Sequence, residues 1–370
     1  MVRHHTVGRV RTSLVAGLAA VATLAGCASN SATAPKASAT TGTSASAGAG
    51  GGTILSGEPD VNGDGKVVIG VLSPGDINDK GYYESFVDEA DAFAKSKGWT
   101  VIKRGSVPAT SALSAARALC QQKVDMIALG ASELSDAIPA STEQVCAKTA
   151  WYVPSSANVA QTPQIMLSSD NPNQSMLAAG YATGLLMQAK GQTKAGFVTG
   201  QQADFTIAAA KAWKAGIREV LPKAQVVTTY AGDLNDSAKA KEAVQAQMSQ
   251  GVKAMYPYLG GSTDAATALA NTGKLITLTP GTDRCSSTSP TFDVSVLFSP
   301  GDYFAAALKQ FAAGKLAMGA EKVWQLGVDP YPTVKLCKGT ATENKKLAAF
   351  MSSIGTKKID PATEVKRLGN

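Results

Sequence analysis

The chain has 370 residues, 44% hydrophobic and 17% charged, with a formal net charge of +7. This composition excludes general disorder and leaves room for one large or two medium domains. The positive balance comes partly from Arg3, Arg9 and Arg11, and otherwise from Lys at scattered helical spacings, so a nucleic-acid role finds little support.

Residues 1–12 are basic, and residues 13–25 (SLVAGLAAVATLA) are apolar and uncharged. Together they predict a secretory signal, too short for a comfortable membrane span. It ends in Leu24-Ala25-Gly26-Cys27, which looks like a bacterial lipobox and implies diacylation of Cys27 after removal of residues 1–26, with ordinary signal cleavage as the alternative. Two acyl chains, each contributing ~0.8 kcal/mol per buried methylene, anchor a protein where one is marginal. Residues 28–59 are nearly all Ser, Ala, Thr, Gly and Pro, so 27–65 is expected to be a lipidated Cys followed by a flexible tether. Within it, Asp60-Val-Asn62-Gly-Asp64-Gly65 mimics the first half of an EF-hand loop, but Val71 stands where the bidentate Glu is needed. No later run is long and apolar enough to span a membrane.

The folded part opens on residues 67–86, VVIGVLSPGDINDKGYYESF: an apolar strand, a polar turn, then a helix start. In α/β sheets, ligands sit in the loop after such a strand. Asp76, Asn78, Asp79, Tyr82 and Tyr83 crowd this loop, and the plain alternative is that its carboxylates only make the turn and cap the helix. The rhythm continues with a helix over 85–96, a strand over 99–103, a helix over 109–123, a strand over 126–129, a helix over 136–149 and strands over 151–154 and 164–168. A small-residue helix follows from Met176. The rhythm restarts with strands over 195–199, 225–230, 254–258 and 275–278 and helices over 208–220 and 236–250. Alternating βα units imply parallel sheets with right-handed crossovers. The run 292–298 and a helix over 302–313 are expected to cross back to the first lobe, and 323–326 to return to the second. Phe86, Phe93, Trp213 and Phe304 lie on apolar helix faces and read as core.

Four cysteines remain beyond Cys27, an even number in an exported chain, which points to two disulfides. Three pairings are possible. Cys120–Cys146 and Cys285–Cys337 are favoured because each joins neighbouring elements of one lobe. No CxxC spacing and no nearby His points to a metal. Both histidines lie at positions 4 and 5, and neither a G-x-S-x-G elbow nor a phosphate loop occurs, so no enzyme activity and no cofactor are expected.

The segment GDINDKGYYESF resembles the opening signature of the basic membrane protein family, the lipoprotein substrate-binding proteins of ABC importers, many of which bind purine nucleosides. Further along, the Met176 helix, GDLNDSAKAKE, MYPYLGGSTDAA and LTPGTDRC resemble later family segments, in family order. The resemblance runs from residue 66 to about 340. It implies a type I periplasmic-binding-protein fold: two Rossmann-like α/β lobes joined by three crossings that close on a ligand. The expected division is 66–168 plus 294–320 for the first lobe, 169–293 plus 321–345 for the second, and a C-terminal segment 346–370.

By position, the resemblance makes Asp79 the first-loop carboxylate and Tyr82 the stacking aromatic. It puts Tyr83 beside them, Gly130 and Ser132 in the next loop, and Gly260 and Asp283 in second-lobe loops, with Asp283 holding ribose hydroxyls. Ala209 stands where a second-lobe aromatic is usual, with Phe205 as substitute, and Tyr258 adds ring surface. The family's Lys is lost at Phe298, and the Asp after the fourth strand is replaced by Val153-Pro154. The implied protein is a lipid-anchored, extracytoplasmic, monomeric binder of a nucleoside or similar ring-plus-diol ligand, partnered by an ABC permease, with a sugar as the alternative ligand.

Overall fold

The structure, a computed structural model, describes residues 52–79, 81–155 and 159–370. The signal segment, Cys27 and the tether up to residue 51 lie outside the described residues.

In chain order the elements are β1 (Thr53–Ile54), β2 (Val68–Leu72), α1 (Tyr82–Lys97), β3 (Thr100–Arg104), α2 (Ala112–Gln121), β4 (Met126–Leu129), a 3-10 run (Ser132–Thr142), β5 (Ala150–Ser155), β6 (Met166–Asp170) and α3 (Pro172–Ala189). There follow β7 (Lys194–Thr199), α4 (Asp204–Val220), β8 (Gln225–Tyr230), α5 (Ser237–Ser249), β9 (Ala254–Tyr258), α6 (Thr263–Thr272), β10 (Ile276–Gly281) and β11 (Val294–Leu297). The chain ends with α7 (Pro300–Ala312), β12 (Ala317–Met318), β13 (Glu321–Trp324), β14 (Thr333–Leu336), α8 (Ala341–Gly355) and α9 (Pro361–Leu368).

Two six-stranded sheets form the lobes, ordered β3-β2-β4-β5-β6-β13 and β8-β7-β9-β10-β11-β14. Every pairing in the first sheet is parallel, and in the second only β14 runs antiparallel, against β11. The central strands β2, β4, β7, β9 and β11 are near-continuous buried runs because helices cover both faces of each sheet. One core fills the first lobe, around Ile69, Phe86, Ile127, Trp151 and Phe304. Two cores flank the second sheet, one around Trp213 and Tyr256, the other around Val198 and Met255. The chain passes between lobes at β6–α3, β11–α7 and β13–β14.

The exchange of C-terminal segments differs from the expectation. Residues 294–297 stay in the second sheet beside β10, and α7 is the element that returns to pack on α1. Residues 321–324 extend the first sheet beside β6, and the second lobe is regained only at β14. The expected helix over 136–149 is instead 3-10, with Pro139 inside it, where a missing N–H breaks an α-helical ladder. The tether also ends earlier than residue 65. β1 pairs antiparallel with β12, Val61 is buried, and the Glu58 carboxylate accepts from Leu316 N at 3.1 Å. Both disulfides form as favoured, Cys120–Cys146 and Cys285–Cys337.

The small residues of the Met176 helix have a packing role. A Cβ on Gly180 would lie 2.0 Å from Trp213 O, and one on Gly216 2.0 Å from Leu177 O, so α3 and α4 touch backbone to backbone. This close crossing ties the first element of the second lobe to the helix after β7.

Candidate functional site

The loop after β2 is shaped by its own carboxylates. Asp76 Oδ1 accepts from Asn78 N and Nδ2 at 3.0 and 3.1 Å. Asp79 accepts from Gly81 N, Tyr83 N and Glu84 N at 2.9, 3.3 and 3.0 Å. It thus satisfies orphan donors at the start of α1 and aims the two tyrosines that open that helix. Tyr82 and Tyr83 meet edge to face, with ring centroids 5.4 Å apart. The Tyr83 ring lies so close over Gly75 that a Cβ there would fall 2.2 Å from it.

Tyr258 is the last residue of β9 in the second lobe. Its own ring lies on Phe197, with centroids 5.5 Å apart, and beside Phe298 at 6.3 Å. Burial pushes the Tyr82 hydroxyl well above its ordinary range, and the neighbouring Asp170, Glu133, Tyr83 and Tyr258 push it further. Tyr258 is raised for the same reasons, by burial first and then by Asp170 and Glu133. The first-loop tyrosines and Tyr258 thus each feel Glu133, and Tyr82 and Tyr258 also feel Asp170.

Asp170 ends β6 at the first crossing. Burial pushes its carboxyl up to about 6, partly offset by the Tyr303 hydroxyl. Tyr303 comes from α7, and its ring stacks on Trp324 of β13. Trp324 Nε1 donates to the buried Ser168 Oγ at 2.9 Å. Tyr152, fully buried on β5, completes the group behind Asp170. Sequence reasoning missed Asp170, Glu133, Tyr152, Tyr303 and Trp324. Asp170 stands just past the strand expected over 164–168, and Tyr303 and Trp324 come together only through the exchange of α7 and β13.

The remaining residues expected at the site are placed as follows. Gly130 N donates to Leu72 O at 2.6 Å, and a Cβ there would lie 3.0 Å from that oxygen, so its glycine lets β4 approach the first loop. Ser132 lies beside Glu133, its Oγ 3.5 Å from Oε2. Phe205, in the first turn of α4, is 49% exposed. Gly260 serves its own lobe: its N–H donates to Leu234 O at 3.0 Å, and a Cβ would strike Asn235 Oδ1 at 2.6 Å. Asp283 is not brought to the tyrosines. It accepts from Cys285 N at 3.1 Å and pairs with Lys335 at 2.7 Å, a partner that holds its carboxyl below the usual range. With Lys335 and the Cys285–Cys337 bridge it lines a 380 Å³ cavity floored by α8. Tyr256 is fully buried and belongs to the core.

Among the described residues, no cluster of three His, Cys, Asp or Glu side chains has the spacing to hold a metal. The Asp60 carboxylate is taken up by the N–H groups of Gly63, Asp64 and Gly65, at 2.8, 3.1 and 2.9 Å.

The sequence profile described as "ABC transporter substrate-binding protein PnrA-like" matches residues 66–330, well over half of the chain. The chain belongs to this family. PnrA-like proteins are the substrate-binding components of ABC transporters, and the resemblance of the first loop and the later segments is thereby explained. No curated protein matches the chain. Among solved structures, it resembles an ABC transporter solute-binding protein from Conexibacter woesei, with TM-score 0.65, 18% identity, and 80% of this chain and 98% of that one covered. A solute-binding protein from Aeropyrum pernix gives TM-score 0.64, 16% identity and coverages of 82% and 90%. The arabinose-transporter binding protein of a Shewanella species, bound to arabinofuranose, gives TM-score 0.54, 15% identity and coverages of 81% and 98%. At these identities the likeness carries the fold, the two-lobed α/β architecture of periplasmic binding proteins.

Proposed function

We propose that this PnrA-like protein captures a neutral purine nucleoside, or a similar ring-plus-diol solute, between its lobes outside the cell and hands it to an ABC permease. What supports the reading is that Tyr82 and Tyr83 open α1 just after β2 of the first sheet and Tyr258 ends β9 of the second, with Asp170 and Glu133 near enough to raise the Tyr82 and Tyr258 hydroxyls. Flat rings need π-faces. Vicinal hydroxyls need a carboxylate able to accept two hydrogen bonds. Asp79 contributes by holding the two α1 tyrosines, and Ser132 and Phe205 are assigned to the rim. The lipobox-like Cys27 supports anchoring by diacylation, with the protein acting as a tethered monomer.

The test is a thermal-shift and titration screen of the mature domain against nucleosides, nucleobases and sugars. A true ligand at a hundredfold excess over Kd stabilises by about 2.7 kcal/mol. Response to nucleosides supports the reading, and release of a product from any of them points to an enzyme instead. A response to sugars alone moves the assignment to a sugar binder, which the arabinofuranose-bound fold relative keeps in view. Loss of membrane retention in Cys27→Ala checks the anchor.

A further inference from the structure

Resting on the ring-plus-diol reading, we propose that Asp170 is the residue that binds the two adjacent hydroxyls of the ligand, over a floor made by the hydroxyls of Tyr152 and Tyr303. The family resemblance points to Asp283 for that task, but Asp283 is paired with Lys335 and lines the cavity floored by α8. The acid expected at the end of β5 is also absent, and there β5 reads Val153-Pro154-Ser155. The neighbouring strand supplies one instead: β6 ends in Asp170, in register with Trp324 on its other side.

Asp170 is free for this work. Capping of α3 falls to Asn171, whose side chain accepts from Asn173 N at 3.0 Å. Among the described residues no Lys or Arg forms an ion pair with Asp170; its neighbours are the tyrosines 82, 152, 258 and 303. Tyr152 Oη lies beside Ser168, and Tyr303 Oη beside Asp170, yet both hydroxyls are buried without a hydrogen bond of normal geometry. Buried hydroxyls without partners are costly, and a partly buried carboxylate without a paired cation needs donors. A cis-diol supplies them: two O–H groups donate to the carboxylate, and their lone pairs accept from the tyrosines. An anionic ligand fits poorly, because Asp170 and Glu133 both repel it.

The experiment compares Asp170→Asn with wild type in the mature domain, titrating a purine ribonucleoside, its 2′,3′-dideoxy analogue and a panel of pentoses and hexoses. Asn keeps the volume and one acceptor, and the melting curve of the variant confirms folding. The expected result is about a 10- to 100-fold loss for the ribonucleoside and less than about twofold change for the dideoxy compound, the cost of a hydrogen bond to charge. Equal losses for both compounds, or none for either, overturn the assignment. If wild type binds a diol-bearing sugar and no nucleoside, and Asp170→Asn weakens it as described, the purine reading fails and Asp170 stands. A wild-type domain that binds no diol-bearing compound overturns both.

Discussion

The Tyr303 ring lies almost flat against the Trp324 indole, with centroids 4.9 Å apart and planes 17° apart. Two elements of the stretch that returns to the first lobe, α7 and β13, thus brace each other. Trp151 and Trp213 are fully buried, and Trp99 packs on Phe93 and Phe311, so Trp324 is the indole beside the proposed ligand. Trp324→Phe should abolish most of the ligand-induced fluorescence change while leaving Kd nearly unaltered. Trp324→Ala, which removes the stack, should weaken binding about threefold to tenfold. A full fluorescence response in Trp324→Phe would place the ligand elsewhere.

Binding should weaken in acid. Asp170 titrates at about 6, raised by burial, and the groups facing it are Tyr82 on α1, Tyr152 on β5, Tyr258 on β9 and Tyr303 on α7, with Glu321 and Lys322 further along β13. A diol donates to the ionised form, so Kd should rise by about tenfold per pH unit below 6. For the empty protein the sign is opposite: a raised carboxyl contributes stability that is fully present below its ordinary value of 3.8 and lost as pH rises through about 6. Asp170→Asn should flatten the binding profile in calorimetric titration from pH 4.5 to 8, and should remove only its own share of the melting profile, since burial also raises Glu58 to about 7 and Asp302 to about 6.

Asp283 and Asp79 should separate. The Asp283–Lys335 pair is exposed, and such pairs contribute at most about 1 kcal/mol. Asp283→Ala should therefore change stability by less than that and leave Kd within about twofold. Asp79→Ala removes three hydrogen bonds at the start of α1, should cost about 1 kcal/mol in urea titration, and should weaken binding by loosening Tyr82 and Tyr83. A tenfold loss in Asp283→Ala would return the diol to the second lobe.

The α3–α4 crossing offers a test of packing alone. In Gly180→Ala the new methyl meets the carbonyl of Trp213 and the Cα of Gly216, backbone atoms that cannot swing aside. Destabilisation of at least about 1–3 kcal/mol is expected. Gly184→Ala, whose nearest neighbour is Val220 Cβ at 3.0 Å, should cost less in the same urea assay.

Much of the architecture is legible in the amino-acid order because local signals agree with the final packing. The run around Ile69 and Val71 is buried on both sides, Asp236 caps α5 through Ala238 N and Lys239 N, and Phe86, Trp213 and Phe304 are core. What escapes is decided by distant partners. Residues 294–297 and 321–324 are short strands whose sheet is chosen by which edge stands open, beside β10 or beside β6, and no local periodicity encodes that. The site follows the same division. Tyr82, Tyr83 and Tyr258 announce themselves at strand ends and helix starts. Asp170 hides before Asn171-Pro172, a sequence that reads as a turn, and Tyr303 and Trp324 hide in segments that look like ordinary core.

The pairing of β1 with β12 bears on where the gene should be cut for recombinant work. The family profile begins at residue 66, yet the chain is already engaged by Thr53, and Asn62 donates to the carboxylate of Asp125 at the foot of β4. A clone trimmed to the profile would bare the edge of β12 and strip both Asn62 donors from that acid, leaving it Val68 N. Starting the expressed fragment near Gly52, and carrying it through α9, keeps the whole molecule that crystallisation or ligand screening would need.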